Sequence, residues 1–269
     1  DEHRALELAR DLEELNRRRQ DVDRATLAQA RRMVDAIDLD QTYGLVLGAE
    51  GWHAGVIGIV ASRVVEDTGR PAVLVAVEDG VGKGSGRSIP AFDLHDALSA
   101  CDARGLFQRF GGHKAAAGVT LDAAKLPAFA EAFNAVARAR LTEADLVPEL
   151  RVDLEVDIEG VTDAFEATLR HLEPHGLGNA APVFAARRAR LAGPVRRIGG
   201  DGLRFAVRAG GGYVGAVAWG LADRLAWMRD GAEVDLAFRV ERDSYRGADA
   251  LQLRVADAVP AGTAPAGPR

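Results

Sequence analysis

The pattern of apolar residues changes period once along this chain, and that change limits the folds open to it. Up to about Leu141, strand-like and helix-like segments alternate. YGLVLGA (Tyr43 to Ala49) reads as a buried strand, GVIGIVASRVVEDTG (Gly55 to Gly69) as a helix stopped by Gly69 and Pro71, and AVLVAV (Ala72 to Val77) as a second strand. That order predicts a parallel pair joined by a crossover helix. A third strand leads into GKGSGRS, Asp93 caps a helix through Cys101, and Leu126 to Leu141 forms the last helix of an α/β domain. After the linker LTEADLVPEL the runs are short and alternating or β-branched, at Val152 to Ile158, Val183 to Leu191, Leu203 to Val207, Tyr213 to Ala218, Glu233 to Val240 and Ala250 to Val255. Glycine-rich turns such as AGGGY punctuate them, and a helix is expected at Leu221 to Met228. This is a small all-β barrel pattern, compatible with an OB-fold.

Ahead of both domains, Leu8, Leu12 and Leu15, then Ala30, Met33 and Ile37, recur at helical spacing among charges. They predict one long or broken amphipathic helix whose apolar stripe is too narrow for a domain, so it docks onto something or connects to a further part. The expected organisation is a connecting helix over 1–41, the α/β domain over 42–141, a linker over 142–150, the barrel over 151–260 and a disordered tail over 261–269. The tail, AGTAPAGPR, is too small and polar to order itself.

The chain's 269 residues suffice for two ordinary domains. Its single cysteine, Cys101, cannot pair within the chain and fits a reducing cytoplasm. No apolar run approaches the ~20 residues of a membrane span, and the charged, helical start DEHRALELAR is not a signal peptide. Net charge is −6, which by itself argues against a generic polyanion binder, yet the charges are segregated. Acids dominate from Thr142 to Glu173. From Val183 to Arg229 the balance inverts, with Arg187, Arg188, Arg190, Arg196, Arg197, Arg204, Arg208, Arg224 and Arg229 against Asp201 and Asp223. A basic surface can form there within an acidic protein.

FGGHKAAAG, residues Phe110 to Gly118, is the densest local signal. Two glycines open backbone conformations closed to other residues and let a ligand approach the main chain. If Lys114 to Ala117 begins a helical turn, its free N–H groups and the cation beside them suit an anion such as phosphate. A tight turn packed with small residues is the ordinary alternative. Arg87, flanked by Ser85 and Ser88 after a strand, offers a planar fork that binds phosphate bidentately while the hydroxyls add donors.

Taken in order, GWHAGVIGIVASR (Gly51 to Arg63), GSGRS (Gly84 to Ser88), FGGHKAAAG, LEPHGLGNAAPVF (Leu172 to Phe184) and YRGADALQLRVAD (Tyr245 to Asp257) resemble the C-terminal half of a RecJ-type single-strand-specific exonuclease of the DHH phosphoesterase superfamily. The start, ending in LEELNRRRQ, is similar to the helix linking the two halves of that family's core. The resemblance implies a DHH-associated domain with a mixed sheet and flanking helices, then an OB-fold. It also implies the substrate-gripping part of a metal-dependent 5′ to 3′ single-stranded-DNA exonuclease of DNA repair and recombination. The Mn²⁺ or Mg²⁺ of such enzymes sits on an N-terminal domain carrying an Asp-His-His motif, which this chain lacks. The chain alone is therefore expected to be inactive, with single-stranded DNA and the missing DHH domain, in cis or in trans, as its partners. No membrane association is expected.

By the same resemblance Gly111 and Gly112 let the strand approach the backbone, and His113 positions substrate with the absent domain, Lys114 beside it. Ser85, Arg87 and Ser88 recognise the terminal 5′ phosphate. Trp52, His53 and Asn179 are candidates to line the cleft, although a tryptophan packed under a helix start is equally ordinary; Asn179 is expected to fix the interdomain turn through side-chain to backbone hydrogen bonds. Family members often have proline at Ala54 and read GNPEP where this chain has GNAAP. In the barrel, Arg204, Phe205, Trp219, Tyr245 and Arg246 are candidates for gripping DNA, with half of them expected to face the core because strand residues alternate. Asp1, Glu2 and His3 head a charged helix, and His171 and His175 are given packing or loop contacts, so no metal ligand is assigned. His95 and Cys101 are assigned to packing. Two rivals remain: another DHH-type phosphodiesterase for short oligonucleotides or cyclic dinucleotides, and a non-catalytic nucleic-acid-binding protein complete as it stands.

Overall fold

Apolar β-branched runs build the first sheet, and glycine alternation decides which of its faces can be packed. The computed structural model describes residues 2–103, 105–243 and 250–263, and the chain divides into two units, Asp1–Glu149 and Leu150–Arg269. In the first, α1 (Glu2–Asp35) precedes β1 (Leu45–Glu50), α2 (Ile57–Thr68), β2 (Ala72–Glu78), β3 (Val81–Arg87), α3 (Leu94–Asp102), β4 (Phe107–Gly112), β5 (Ala116–Asp122) and α4 (Leu126–Arg140). The strands lie in the order β1-β2-β3-β5-β4. β1 and β2 are parallel across the α2 crossover, with Leu47 opposite Leu74, and the remaining pairs are antiparallel.

One face of this sheet packs Val73, Val75, Val119 and Leu121 against Leu94, Leu98, Phe129 and Phe133 from α3 and α4. The other packs Leu45, Leu47 and Leu74 under Ile57 and Val60 of α2 and Leu27 and Ala30 of α1. β3 reads V-G-K-G-S-G-R, and its glycines face the first core. A β-carbon on Gly84 would sit 2.5 Å from Val119, and one on Gly86 2.9 Å from Leu94. Side-chain-free positions therefore let the sheet close on α3 and α4, while Lys83, Ser85 and Arg87 turn to the opposite face by the two-residue period of a strand.

Only the C-terminal part of α1 docks. Arg63 of α2 pairs with Asp23 at 3.2 Å and Arg31 with Asp67 at 2.8 Å, and the Trp52 indole N–H donates to Gln29 at 2.9 Å. Farther toward the N-terminus Leu6, Leu8, Leu12 and Leu15 are exposed, Leu12 by 66%. No helix among the described residues is long and apolar enough to cross a membrane.

The second unit is a closed barrel of β7 (Phe184–Ile198), β8 (Gly202–Ala209), β9 (Gly212–Ala218), β10 (Glu233–Asp243) and β11 (Ala250–Pro260), with the short β6 (Leu154–Glu155) beside β7. The order β7-β8-β9-β11-β10 closes through a β10–β7 pairing, and β9 runs parallel to β11. A five-stranded barrel of this connectivity is an OB-fold. Leu191, Leu203, Phe205, Val207, Phe238 and Leu253 fill it. α5 (Asp163–Leu169) packs Phe165 and Leu169 against that core and is tied down by charge, since Glu166 accepts from Arg170 at 2.7 Å and from Arg242 at 3.1 Å.

Four local expectations change. Lys114 to Ala117 is not a helical turn; it is the tip and first residues of a β4–β5 hairpin, because Ala117, Val119 and Leu121 alternate into the core and recruit the segment to the sheet. The helix expected at Leu221 to Met228 is a single 3₁₀ turn over Ala222–Ala226 without a side-chain cap, too short to repay helix nucleation. The Val152 to Ile158 strand shrinks to two residues. Finally, α5 stands where no helix is expected, although Thr162 caps it through the Phe165 N–H and Asp163 and Glu166 occupy its first turn, the usual signs of a helix start.

Arg170 holds the Glu166 carboxyl below the usual carboxylate range, with Arg242 adding to the effect against the cost of burial. A carboxyl whose folded pKa is depressed lends stability that is complete above the unfolded pKa of about 4.3 and is lost as pH falls through the folded value. Chemical denaturation across pH should show barrel stability declining below about pH 4.3. Glu166→Gln should flatten that decline and cost about 1–2 kcal/mol at neutral pH.

Candidate nucleic-acid interface

Strand register brings Arg87 and the glycine hairpin to one end of the first sheet. Arg87 lies opposite Ala116 and Ser85 opposite Gly118, while on the far side of β5 Gly111 faces Gly118 and Gly112 faces Ala117. The His113 N–H donates to the Ala116 carbonyl at 2.8 Å, the Ser88 N–H to Ala115 at 3.0 Å, and the Leu94 N–H to Lys114 at 2.9 Å. The hairpin tip is thus tied to the end of β3 and to the start of α3 rather than hanging free. Gly112 has φ +148, and a β-carbon there would collide with Ala116 and Ala117, so only glycine makes this close turn. Gly111, His113 and Lys114 are exposed.

The Arg87 guanidinium is half-buried and set in advance. One terminal nitrogen donates to the Ser85 hydroxyl at 3.2 Å and to the Gly86 carbonyl at 2.8 Å, leaving the other N–H groups without a partner among the described residues. It rests over Gly58 of α2, where a β-carbon would come within 3.0 Å of the guanidinium and 2.9 Å of the Ser85 oxygen. The Ser88 hydroxyl donates to the Phe92 carbonyl at 2.8 Å, so its proton is spent on its own loop. Arg87, Ser85, Gly111, Gly112, His113 and Lys114 therefore cluster, with Ser88 serving the loop behind them.

In the barrel, Arg204 and Phe205 part company. Phe205 is 4% exposed within the core and presents no ring face to a base, while Arg204 points outward directly opposite Arg196 of β7. Like charges opposed across strands cost stability, and here neither is neutralised at close range. Arg196 has no partner among the described residues, and Arg204 reaches Asp243 only at 4.0 Å. Arg204 and Tyr213 line one cleft of about 700 Å³ with Thr162, Gly215 and Gln252. Tyr213, 67% exposed, lies opposite Arg208. Trp219 is 53% exposed and lies so close over the β7–β8 turn that a β-carbon on Gly202 would meet it at 2.7 Å. Tyr245 and Arg246, in the β10–β11 connection, lie outside the described residues.

The arginine-rich stretch divides by partner. Arg187 binds Glu155 and Asp235, Arg188 and Arg190 both bind Glu233, and Arg224 contacts Asp223 and Asp257. These cations hold the barrel together. Arg196, Arg197, Arg208 and Arg229 have no such partner among the described residues. Parity along β8 identifies the useful ones: with Leu203, Phe205 and Val207 inward, Arg204 and Arg208 must face out, and Arg196 and Tyr213 follow as their cross-strand neighbours.

The cleft-lining expectations separate in the same way. Trp52 is 7% exposed, packed in the core beneath α1. His53 is exposed and accepts the Gly55 N–H on Nδ1 at 3.0 Å, shaping the entry to α2. The Asn179 side-chain amide donates to the Leu172 carbonyl at 2.8 Å and to the Pro174 carbonyl at 3.0 Å. Among the described residues no group of three or more His, Cys, Asp or Glu is placed to hold a metal ion.

Comparison with known proteins gives a consistent picture. The DHHA1 domain family matches residues 41–139, and the RecJ OB domain family matches residues 152–257. A single-stranded-DNA-specific exonuclease RecJ from Bacillus subtilis is 32% identical over 96% of this chain and 33% of its own length. Its counterpart from Thermus thermophilus is 34% identical over 97% of this chain and 37% of its own. The crystal structure of Thermus thermophilus RecJ in complex with Mn²⁺ superimposes with a TM-score of 0.72 at 34% identity, covering 93% of this chain and 35% of that one. The chain thus spans about a third of the length of these relatives.

The position of Gly58 generates a test of the Arg87 geometry that leaves the guanidinium itself unchanged. Gly58→Ala should push the Arg87 side chain off its seat and weaken binding of a 5′-phosphorylated oligonucleotide roughly threefold, on the scale of one weakened charge-assisted hydrogen bond. Gly111→Ala, where a β-carbon would meet nothing within 4 Å, should leave thermal stability unchanged. Fluorescence anisotropy and thermal melts read the two effects separately.

Proposed function

We propose that this chain, which its DHHA1 and RecJ OB domains place in the RecJ family, is the strand-gripping portion of a metal-dependent 5′ to 3′ single-stranded-DNA exonuclease of DNA repair and recombination. The observation that carries this reading is the convergence of Arg87 and the His113 hairpin on one strand end, across the Gly111–Gly118 pair. A terminal phosphate carries more charge than an internal one and exposes more oxygens, so a guanidinium already braced on Ser85 favours it over a 5′ hydroxyl. Gly111 and Gly112 leave the approach to the backbone unobstructed. His113, exposed beside them, is a donor that positions the phosphate and cannot hydrolyse it alone.

The barrel supplies length. Arg196 and Arg204 neutralise backbone phosphates, and Tyr213 and Trp219 offer ring faces to bases, the usual pairing of contacts on a single strand. The relatives' structures hold Mn²⁺ or Mg²⁺. In the intact enzyme we assign those ions to a DHH domain outside this chain, acting in cis or in trans, and the bond-breaking chemistry with them. The role of the residues described above is then to bind the end, orient it and hold the strand behind it.

Two measurements follow. Arg196→Ala combined with Arg204→Ala should weaken binding of single-stranded DNA and lower the salt slope of log affinity by roughly 0.7 for each phosphate no longer neutralised; an affinity insensitive to salt in the unmodified chain would remove the electrostatic basis of the reading.

The end preference has its own test. The unmodified chain should favour 5′-phosphorylated over 5′-hydroxyl oligonucleotides by roughly 1 kcal/mol, and Arg87→Ala should erase that difference with general affinity nearly intact. His113→Ala should weaken it less, yet nearly abolish cleavage in an enzyme that also carries the metal-bearing domain. Unmodified rates and end preference in both variants would reduce the hairpin to a turn.

A further inference from the structure

Beyond the Arg87 cluster, which α2 partly covers at Gly58, the same face of the first sheet becomes exposed toward β5 and β4. Strand parity puts Lys83, Ser85 and Arg87 of β3 on the face opposite α3 and α4. The register places Thr120, Gly118 and Ala116 of β5 beside them in that order, and Arg109 and Gly111 of β4 beyond Thr120 and Gly118. Gly118 and Gly111 are exposed, and a β-carbon on Gly111 would meet nothing within 4 Å. Between the cations the floor is bare backbone at Gly118 and Gly111.

Cations stand at both ends of this floor. Arg87 and the His113 turn mark one end. At the other, Lys83 and Arg109 flank Thr120 on either side in a single cross-strand row, both exposed and both without an ion-pair or hydrogen-bond partner among the described residues. Two strand spacings, about 10 Å, separate them, a gap that an anion lying over Thr120 can bridge. The next row brings acids, Glu78 and Asp122, beside Val81; the Asp122 carboxylate caps the turn that follows. Those acids close this face to a polyanion. From Arg87 to Lys83 is four residues of antiparallel strand, about 14 Å, farther than a lone phosphate reaches; an extended nucleotide repeat has six backbone bonds against three in a residue, about twice the residue rise, so roughly three nucleotides span it.

We propose that Lys83, Arg109 and Thr120 form a second phosphate position, so that the sheet takes a short extended oligonucleotide along β5 and not merely a terminal phosphate. The proposal rests on the reading of Arg87 as the 5′-end contact. Lys83 and Arg109 donate to a backbone phosphate two linkages or so from the end, Thr120 adds a hydroxyl, and Gly118 and Gly111 let the sugar-phosphate chain lie on the main chain between the two positions.

The test is binding of 5′-phosphorylated oligothymidylates of one to four nucleotides to the full chain at low salt, in an Arg196→Ala, Arg204→Ala background that mutes the barrel. Affinity should rise stepwise at about the third nucleotide. Lys83→Gln with Arg109→Gln should remove that step, weakening the three-nucleotide ligand roughly fivefold to tenfold, near the low end for charge-assisted hydrogen bonds, with mononucleotide binding unchanged. Lys83→Arg with Arg109→Lys should restore it. If the Gln pair binds every length as the parent does while Arg87→Ala still loses the mononucleotide, the second position is refuted, the end contact stands, and these cations only guard the sheet against edge pairing. If Arg87→Ala binds the mononucleotide unchanged, the end-contact reading fails and this proposal with it.

Discussion

A strand can offer only every second residue to one face, and in both units that alternation decides which side chains are free to meet a ligand. β3 spends its inward positions on Gly82, Gly84 and Gly86 because Val75, Val119 and Leu94 already fill the space their β-carbons would need. The outward positions then fall to Lys83, Ser85 and Arg87, all polar and all on one line. Replacing the inward glycines by larger residues would force the sheet away from α3 and α4 and swing that line with it. The site depends on the core packing behind it more than on any contact within it.

The same constraint explains what is legible in the sequence. The β-α-β start, the Asp93 cap, the last helix of the first unit and five of the six barrel runs carry their own period and turn residues. The Arg87 and His113 elements are legible as motifs, but their meeting is not, because it depends on β5 lying between β3 and β4, a non-local pairing that no local pattern encodes. Arg204 and Phe205 both have the chemistry of a DNA contact, yet adjacent strand residues face opposite sides, and the core takes Phe205. Trp52 takes one of its two equally expected places, and the sequence around it does not say which. An aromatic before a helix can line a cleft or lie under the helix, and the choice is made by Gln29, 23 residues upstream, which accepts its indole N–H. α5 escapes notice because seven residues are too few for a periodic signal, and only its cap and acidic first turn betray it.

Charge follows a division of labour that composition conceals. Asp235, 6% exposed, keeps its carboxyl below the usual range even though burial works against it, because the Arg188 and Gly262 N–H groups and the Arg187 guanidinium all donate to it. Glu233 is likewise held low by Arg190 and Arg188. The arginines so used are consumed in folding. Those left over on the barrel, Arg196, Arg197, Arg208 and Arg229, have no acidic partner among the described residues, so free cations stand on a chain whose net charge is −6, and local charge carries more information than the total.

Rigidity matters as much as charge at the strand end. A guanidinium loses rotamer freedom when it binds, a cost of about 2 kcal/mol for a long cation held nowhere in advance. Arg87 has met part of that cost already, through its contacts with Ser85 and Gly86 and its seat on Gly58. The hairpin opposite it is fixed by one backbone hydrogen bond across its own tip and two to neighbouring elements. Two groups held this firmly across one ladder cannot follow a ligand that arrives elsewhere. In the role proposed for them they discriminate by geometry, accepting an end that fits between them and gaining little from an internal phosphate, whose two neighbours in the chain occupy the directions the fork would use.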